Sequence, residues 1–307
     1  MEKVKVLMST YNGQKYLREQ LDSILNQEGV DVSLLIRDDG SKDDTIDILK
    51  EYAECHPNIE YIQGENLGFA DSFMDLIYRA SEYKNIDYFA LSDQDDVWLP
   101  NKLYEAIKIL GSRDSNKLQL YFSNTFAVDD ELKVLFKTHE RSKFNMSKES
   151  SLVQYFILGC TMVFNKKVVD YLTSHKPIGQ IAMHDLWIHQ TCAFFGEITY
   201  DDEPRILYRQ HASNIAGIGR SLKKRIARLM KSMKSYRRRH FREMNARCFL
   251  QTYDRELSIE DHNLVSAISN YRDDMRSRFH LLFSNRMDMG SKLSNLNIKF
   301  RILFGLF

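Results

Sequence analysis

The chain has 307 residues, of which 43% are hydrophobic and 12% aromatic, so it contains enough apolar material for a sizeable core. Its formal net charge of +1 at pH 7 argues against a protein that binds nucleic acid over its whole length. The four cysteines are far apart and form no CxxC pair, which disfavours a zinc site or a disulfide scaffold and fits a reducing compartment. The N-terminus lacks the layout of a signal peptide, and no apolar run approaches the roughly 18 residues of a membrane-spanning helix. We therefore expect a cytoplasmic protein.

The first third of the chain alternates between strand-like and helix-like patterns. Short apolar runs predict four strands, at residues 4–9, 32–37, 59–62 and 88–92. Helical spacing of apolar residues follows the first three strands, from Gln14, from Asp43 and across 70–83. This β-α-β-α-β-α-β order predicts an α/β fold with a doubly wound, mostly parallel sheet.

The middle of the chain is expected to add two strands, at 118–126 and 155–164, and a helix that begins near residue 181. The second of these strands is expected to be broken by Gly159-Cys160-Thr161, and a Gly inside a strand suggests a bulge or the close approach of a ligand. Cys160 has no basic neighbour in sequence, so a small buried apolar role is favoured over a nucleophile.

Polar clusters follow three of the predicted parallel strands. They are Thr10-Tyr11-Asn12, Asp38-Asp39-Gly40-Ser41 and Asp93-Gln94-Asp95-Asp96. Right-handed crossovers bring all three to one edge of the sheet, where ligands bind in open α/β sheets. Each cluster alone is also explained by turn and capping chemistry, but three together favour a nucleotide. Carboxylates at Asp93 and Asp95 suit a hard cation such as Mg²⁺ or Mn²⁺, and no phosphate-binding GxxxxGK[ST] or GxGxxG motif is present.

Four motifs in this order resemble those of the family 2 glycosyltransferases with the GT-A fold. They are Met8-Ser9-Thr10-Tyr11-Asn12-Gly13, Arg37-Asp38-Asp39-Gly40-Ser41-Lys42-Asp43, Asn66-Leu67-Gly68 and Ser92-Asp93-Gln94-Asp95-Asp96-Val97-Trp98. The form Asp-Gln-Asp-Asp-x-Trp, with the later His184-Asp185 and Tyr208-Arg209-Gln210-His211, is most similar to bacterial rhamnosyltransferase-like members that build cell-wall and capsular polysaccharides. The resemblance covers about two thirds of the chain, and the order and spacing of its motifs make it specific.

The resemblance implies an inverting glycosyltransferase whose nucleotide sugar binds at the sheet edge. The expected donor is dTDP-rhamnose, a UDP-hexose is the alternative, and Mg²⁺ or Mn²⁺ is expected to neutralise the diphosphate. The residues implied in donor binding are Thr10, Tyr11, Asn12, Asp38, Asp39, Gly68, Ser72, Asp93, Gln94 and Arg209. The residues implied in metal binding are Asp95 and His211, and those implied in acceptor binding are Trp98, Gly159, Cys160 and His184.

Asp185 is the residue that matches the catalytic base of the family. Inverting transfer needs a group that takes the proton of the acceptor hydroxyl, and a carboxylate at a helix start is suited to that. The alternative is a first-turn carboxylate that only complements the helix dipole. His184 stands where many members have a second acid, so its role is open between tuning Asp185, touching the donor and capping the helix. His211 is likewise either a metal ligand or a structural histidine.

The GT-A catalytic domain is expected to span residues 1–215, with a nucleotide-sugar half at about 1–100 and an acceptor half at about 101–215. Residues 216–307 form the expected C-terminal region of basic, amphipathic helices. Between Arg220 and Asp254 the chain is rich in Lys and Arg, and Glu243 is its single acid. Such a pattern favours an anionic membrane surface, bound through 220–247 and the apolar tail, although a solvated helix packed on the catalytic domain is the simpler alternative.

Further expected partners are a glycan or lipid-linked acceptor and a second copy of the chain, and the expected location is the cytoplasmic face of the plasma membrane. A rival class is a nucleic-acid-binding protein in which Asp93, Asp95 and Asp185 hold the two metals of a nuclease. The basic residues lie in one appended segment rather than around the acidic edge, so no nucleic acid is expected. A third possibility is an inactive scaffold that keeps the fold.

Overall fold

The structure is a computed structural model that describes residues 1–140, 145–210 and 240–307. The described residues fall into two compact units. The first comprises Met1–His139, Ile157–Ser174 and the described residues from Met183 to 210. The second comprises the described parts of Glu140–Phe156, His175–Ala182 and residues 240–307. The second unit thus includes two segments that precede residue 215, and the domain boundary at that residue stays a prediction.

The first unit is built on a mixed sheet. Its strands are β1 (Lys3–Thr10), β2 (Asp31–Asp38), β3 (Ile59–Gln63), β4 (Tyr88–Ser92), β5 (Val97–Trp98), β6 (Leu118–Val128), β7 (Val134–Lys137), β8 (Met162–Asn165) and β9 (Gly196–Arg209). Its helices are α1 (Leu17–Leu25), α2 (Thr45–Cys55), α3 (Phe69–Ala80), α4 (Lys102–Gly111), α6 (Lys166–Ser174) and α7 (His184–Phe195).

The strands lie in the order β3-β2-β1-β4-β8-β6-β9-β5, and β7 pairs with β6. The first four strands are parallel to one another, as is the pair β6 and β9. The pairs of β8 with β4 and β6, of β5 with β9 and of β7 with β6 are antiparallel. The predicted alternation of strands and helices is therefore confirmed, and β4 lies at the centre of the sheet as its apolar run indicates.

The parallel strands bury residues on both faces, as sheets covered by helices on both sides do. In β1 the side chains of Val4, Val6, Leu7 and Met8 are all fully buried. The registers pair Thr10 with Asp38 and Met8 with Ser92, so the polar ends of β1, β2 and β4 lie at one edge. The three clusters that follow these strands are thus brought together as predicted.

The strand predicted across 155–164 is confirmed only after its predicted break at Gly159-Cys160-Thr161. Only Met162–Asn165 forms a strand, and Gly159–Thr161 forms a single 3₁₀ turn. Thr161 donates both its N–H and its hydroxyl to the Leu158 carbonyl, at 3.0 and 2.7 Å. These local hydrogen bonds occupy groups that a ladder would need, so β8 starts only after them.

The second unit is helical among its described residues. Its helices are α5 (Lys148–Ser151), α8 (Phe241–Tyr253), α9 (Ile259–Asn270), α10 (Met275–Phe283) and α11 (Lys292–Leu303). The side chains of Ser258, Asp274 and Ser291 cap α9, α10 and α11 by accepting from backbone N–H groups. The predicted C-terminal helical appendage is confirmed. Most of the basic segment 220–247 lies outside the described residues, as does His211.

None of the described helices is both long and apolar enough to cross a membrane.

Candidate active site

The loop after β1 is joined to the loop after β4 by one side chain. The Gln94 amide oxygen accepts from the Tyr11 N–H at 2.8 Å, and its nitrogen donates to the Tyr11 carbonyl at 3.1 Å. A Cβ on Gly13 would lie 2.3 Å from the Gln94 amide oxygen, so only glycine leaves room for this contact. The Tyr11 ring is 46% exposed at the sheet edge. Gln94 therefore holds Tyr11 rather than pointing freely at a ligand.

Asp38 organises the loops that follow β1 and β2. Its Oδ2 accepts from the backbone N–H groups of Gly40 and Ser41, at 3.0 and 2.9 Å. Its Oδ1 accepts from the Thr10 hydroxyl at 3.1 Å and from the Ser41 hydroxyl. Asn12 adds a link between the loops, because its N–H donates to the Ser41 hydroxyl at 2.8 Å. Asp38 is fully buried, so its side chain holds the loops of the sheet edge together from beneath the surface.

Asp39 performs the same task for the loop before α3. Its two oxygens accept from the N–H groups of Leu67 and Gly68, each at 2.9 Å, and it pairs with the Arg37 guanidinium. Gly68 has φ of +82°, a backbone conformation that glycine adopts without strain. Ser72, in the first turn of α3, is buried against this ion pair, with 3.3 Å between its hydroxyl and Arg37 Nη1. A direct contact of these residues with a donor stays a prediction.

A cluster of acids lies at the end of β4. Ligand atoms of Asp93, Asp96 and Cys160 all lie within 4.8 Å of one another. Burial and the charges of Asp95 and Asp185 raise the pKa of Asp93 to about 7. Burial and the charges of Asp95 and Asp93 raise the pKa of Asp96 well above its usual range. Crowded carboxyls of this kind are stabilised by a cation or by protonation.

The cluster fits a hard divalent cation. Asp96 Oδ2 is buried and lacks a hydrogen-bond partner among the described residues. Carboxylate oxygens are the ligands that Mg²⁺ and Mn²⁺ prefer, and the charge of Asp95 acts on both other acids. Burial raises the pKa of the Cys160 thiol well above its usual range. Two of the three members of the cluster are carboxylates, and among the described residues it lacks the several Cys and His ligands that are typical of a zinc site.

Arg209 anchors this cluster instead of facing solvent. Its backbone N–H donates to Asp96 Oδ1 at 3.1 Å. Its buried guanidinium pairs with Glu19, donates to the Asp130 carbonyl at 2.6 Å and lies 4.7 Å from the centroid of the Tyr16 ring. A contact with the donor phosphates stays a prediction.

Trp98 occupies a different place from the one expected for an acceptor contact. Its side chain is only 2% exposed and packs in the core of the first unit. Lys102 Nζ lies 3.4 Å from the centroid of the Trp98 ring and has no hydrogen-bond partner in the described part of the chain. Burial lowers the pKa of Lys102 to about 7, against the opposing effect of the charges of Cys160 and Asp96. Trp98 therefore offers no surface to an acceptor in this structure, because Lys102 and the core cover it.

The start of α7 lies beside the acid cluster. Asp185 is 4% exposed, and its charge contributes to the raised pKa of Asp93. A Cβ on Gly159 would lie 3.5 Å from the Asp185 Cβ and 2.8 Å from His184 Nε2. The structure thus brings Gly159, His184 and Asp185 together, and their roles towards an acceptor stay predictions.

His184 is packed rather than hydrogen-bonded. Its ring stacks on Phe73 with 4.1 Å between centroids and meets Phe69 edge-on at 6.2 Å. Neither ring nitrogen has a hydrogen-bond partner among the described residues. Burial lowers the pKa of His184, so the ring is neutral at pH 7. It therefore does not act as a positive partner of Asp185.

Three side chains of this region were not singled out from the sequence: Phe73, Asp96 and Lys102. Phe73 follows Phe69 at helical spacing, which is the signal that relates the two rings. Asp96 belongs to the acidic motif, but nothing in the sequence of the motif shows that Asp96, rather than a neighbouring acid, is the buried one. Lys102 gives no signal, because a lysine in the first turn of a helix is ordinarily solvated.

Comparison with known proteins gives a consistent result. A family described as Glycosyl transferase family 2 matches residues 5–172. The chain is 30% identical over 234 residues to dTDP-rhamnosyl transferase RfbG of Shigella flexneri, which covers 72% of this chain and 78% of that protein.

Two solved structures share the fold at low sequence identity. S. aureus TarS 1-349 in complex with UDP-GlcNAc has a TM-score of 0.58 at 14% identity, covering 99% of this chain and 80% of TarS 1-349. The mannosyltransferase PcManGT from Pyrobaculum calidifontis, in complex with GDP-Man and Mn²⁺, has a TM-score of 0.54 at 14% identity, with the same coverage. These similarities confirm the predicted GT-A fold.

Proposed function

The chain belongs to glycosyl transferase family 2, and on that premise we propose that it is an inverting transferase whose catalytic base is Asp185. The observation that carries the proposal is the position of Asp185, which lies close enough to the β4 acid cluster to raise the pKa of Asp93. An acceptor between the start of α7 and the cluster would meet a base on one side and the donor diphosphate on the other. In this proposal the start of α7 provides the base, and the acid cluster at the end of β4 lies on the side of the donor diphosphate.

The proposed step is a single displacement. The Asp185 carboxylate takes the proton of an acceptor hydroxyl as the hydroxyl oxygen attacks the anomeric carbon of the donor sugar. The new C–O bond forms on the face opposite the bond to phosphate, which breaks and leaves a nucleoside diphosphate. Inversion at the anomeric carbon follows from this geometry.

Asp95, with Asp93 and Asp96, would hold a divalent cation, and His211 stays a proposed further ligand. When bound, Mg²⁺ or Mn²⁺ supplies charge that stabilises the departing diphosphate. The carboxylate set supports a hard cation over zinc, and the fold neighbour PcManGT is seen with Mn²⁺. The role of this chain's carboxylates is to fix that charge at the end of β4.

The proposed donor is dTDP-rhamnose. Its support is the 30% identity to dTDP-rhamnosyl transferase RfbG over most of both chains. The half-exposed Tyr11 ring, held by Gln94, offers a flat surface for a base or sugar at the sheet edge. A UDP-hexose is the alternative, favoured by the fold shared with TarS, which is seen with UDP-GlcNAc.

The acceptor proposal is a lipid-linked glycan of a bacterial surface polysaccharide, handled at the cytoplasmic face of the plasma membrane. The region around Gly159, His184 and Asp185 is its proposed position. Residues 220–247 are rich in Lys and Arg, which supports an anionic membrane as a partner. Residues 1–215 remain the proposed catalytic domain, and a homo-oligomer remains a proposed state.

The donor is tested by thermal unfolding with dTDP-, UDP- and GDP-sugars, each with and without Mn²⁺. Ligand at 100 times its dissociation constant stabilises the folded state by roughly 2.7 kcal/mol, which gives a readily measured shift in Tm. We expect a metal-dependent shift with dTDP-rhamnose that exceeds the shift with the others. A shift only with UDP-sugars would replace the donor proposal, and no shift with any nucleotide sugar would contradict the whole proposal.

A further inference from the structure

Helix α11 exposes an apolar stripe along its length. The side chains of the stripe are each more than half exposed, and they follow one another at intervals of three, four, three and one residues along the helix: Leu293, Leu296, Phe300, Leu303 and Phe304. At 100° per residue these positions share one side of the helix. The rings of Phe300 and Phe304 lie 4.5 Å apart. Five large apolar side chains in one exposed row are unusual for a solvated surface.

The opposite side of α11 is already used to hold the helix in the second unit. Ile298 and Ile302 are buried. The end of the chain is fixed as well, because the Tyr271 hydroxyl donates to the Phe307 carbonyl at 2.9 Å. The helix is thus apolar on both sides, and only one of the two sides is packed against other described residues.

Basic side chains border the exposed stripe. By helical geometry Lys292 and Lys299 lie along one flank and Arg301 lies along the other. The sequence contains no Asp or Glu from Met289 to its last residue, Phe307. An apolar row with basic flanks is the pattern of a helix that lies in a lipid interface, where long side chains reach the headgroups.

Helix α10 carries a second exposed row. Met275, Phe279 and Phe283 are each more than half exposed and recur every four residues, while Leu281 is buried. The Phe279 and Phe283 rings are nearly parallel, with centroids 6.4 Å apart. The second unit therefore exposes large apolar side chains on two of its helices.

We propose that the exposed stripe of α11 docks on an anionic lipid bilayer, with Leu293, Leu296 and Phe300 in the headgroup–acyl boundary. The segment 220–239 contains many Lys and Arg and no Asp or Glu, so its charge has the same sign. A second copy docked symmetrically would bring the basic flanks of two α11 helices together, which is unfavourable. Anionic lipid complements that charge. This inference extends the proposed function by assigning a membrane partner to described residues, and it does not depend on which sugar is transferred.

Vesicle sedimentation of the full chain tests the docking. The probes are vesicles of phosphatidylcholine with phosphatidylglycerol and vesicles of phosphatidylcholine alone. The variant carries Phe300→Ser and Phe304→Ser, and the control is Ile259→Ser, because Ile259 is 82% exposed at the start of α9, away from the stripe. We expect the double variant to bind anionic vesicles about tenfold or more weakly, given the apolar area removed, while the control binds as the wild type does.

Charge reversal separates the two parts of the surface. Lys292→Glu with Lys299→Glu is expected to weaken binding to anionic vesicles and to leave any binding to phosphatidylcholine unchanged. Equal binding by the wild type and both double variants would overturn the inference. So would a wild-type dimer that Phe300→Ser with Phe304→Ser converts to a monomer without any vesicle binding, since the stripe would then cover a second copy.

Transfer to a water-soluble acceptor is measured in parallel. Its rate is expected to be the same in the wild type and in the stripe variants, since α11 contributes no residue to the proposed chemistry. Loss of vesicle binding with intact transfer supports the docking surface. Absence of nucleotide-sugar binding in the wild type would contradict the proposed function and leave the vesicle result to be judged by itself.

Discussion

The side-chain amide of Gln94 pairs with both the N–H and the carbonyl of Tyr11, at 2.8 and 3.1 Å. Gln94 is the middle residue of the Asp93-Gln94-Asp95 motif, so the motif that provides carboxylates also fixes the backbone of Tyr11 at the neighbouring strand end. Two hydrogen bonds of this kind contribute roughly 1 kcal/mol each to holding a loop. The acidic motif therefore also joins the loops after β1 and β4 at the proposed donor site.

Gln94→Met should weaken donor binding more than it slows the chemistry. Methionine has a similar length but neither donates nor accepts in this way, so the Tyr11 loop is released while Asp93 and Asp95 stay in place. We expect donor KM to rise about fivefold to tenfold, with kcat changed by about twofold or less. Steady-state kinetics with varied donor measures both constants.

Gly13→Ala provides an independent test of the same contact. Its Cβ would lie 2.3 Å from the Gln94 amide oxygen and must displace it, so donor KM should rise as it does in Gln94→Met. The matched control is Gly111→Ala, where the nearest atom, the Tyr88 hydroxyl, is at an ordinary 3.5 Å. An unchanged donor KM in both Gln94→Met and Gly13→Ala would show that Tyr11 does not contribute to donor binding.

The lowered pKa of Lys102 predicts that the free energy of unfolding depends on pH. Burial lowers its pKa to about 7 in the folded state, while the unfolded value is about 10.4. Between these values the unfolded chain binds the additional proton, so the free energy of unfolding should rise as pH increases from about 7 to 10. Lys102→Met should flatten this rise and increase stability at neutral pH, as seen in urea unfolding at several pH values.

One result would contradict the prediction for Lys102. If stability rises above pH 7 by the same amount in Lys102→Met and in the wild type, the rise is due to groups other than Lys102. Lys108→Met on the same helix is the control, because Lys108 is an exposed lysine in the last turn of α4. It should leave the pH dependence unchanged.

His184→Phe separates packing from hydrogen bonding. Phenylalanine keeps the stack on Phe73 and removes two buried nitrogens that lack partners in the described chain. Because such nitrogens cost about 1–3 kcal/mol each when unpaired, stability should be unchanged or higher. If the ring serves the acceptor, acceptor KM should rise while donor binding stays the same. An acceptor KM equal to that of the wild type would limit His184 to packing.

The sequence predicts the fold well where local and long-range signals agree. The apolar runs of β1, β2 and β4 indicate buried parallel strands, and right-handed crossovers then bring Thr10, Asp38 and Asp93 to one edge. The strand across 155–164 forms only after its break at Gly159-Cys160-Thr161, because the N–H and hydroxyl of Thr161 close a local turn on the Leu158 carbonyl.

Side-chain partners are the part that sequence patterns do not determine. Asp38, Asp39 and Asp96 are all acids at strand ends, but their oxygens bond to backbone groups whose positions depend on the folded loops. The burial of Trp98 beneath Lys102 likewise depends on contacts between β5 and α4. A pattern identifies which residues gather at the edge, and packing decides which of them remain available to a ligand.

Asp185→Asn tests whether Asp185 is the catalytic base. The matched control is Asp47→Asn, because Asp47 is also a first-turn acid, on α2, and its side chain is 76% exposed. Transfer rate and the donor-induced shift in Tm are measured for both variants with dTDP-rhamnose and Mn²⁺. We predict that Asp185→Asn loses transfer by about 100-fold or more and keeps the donor-induced shift, while Asp47→Asn matches the wild type. Transfer at the wild-type rate by Asp185→Asn would exclude Asp185 as the base and leave it as a helix-start carboxylate.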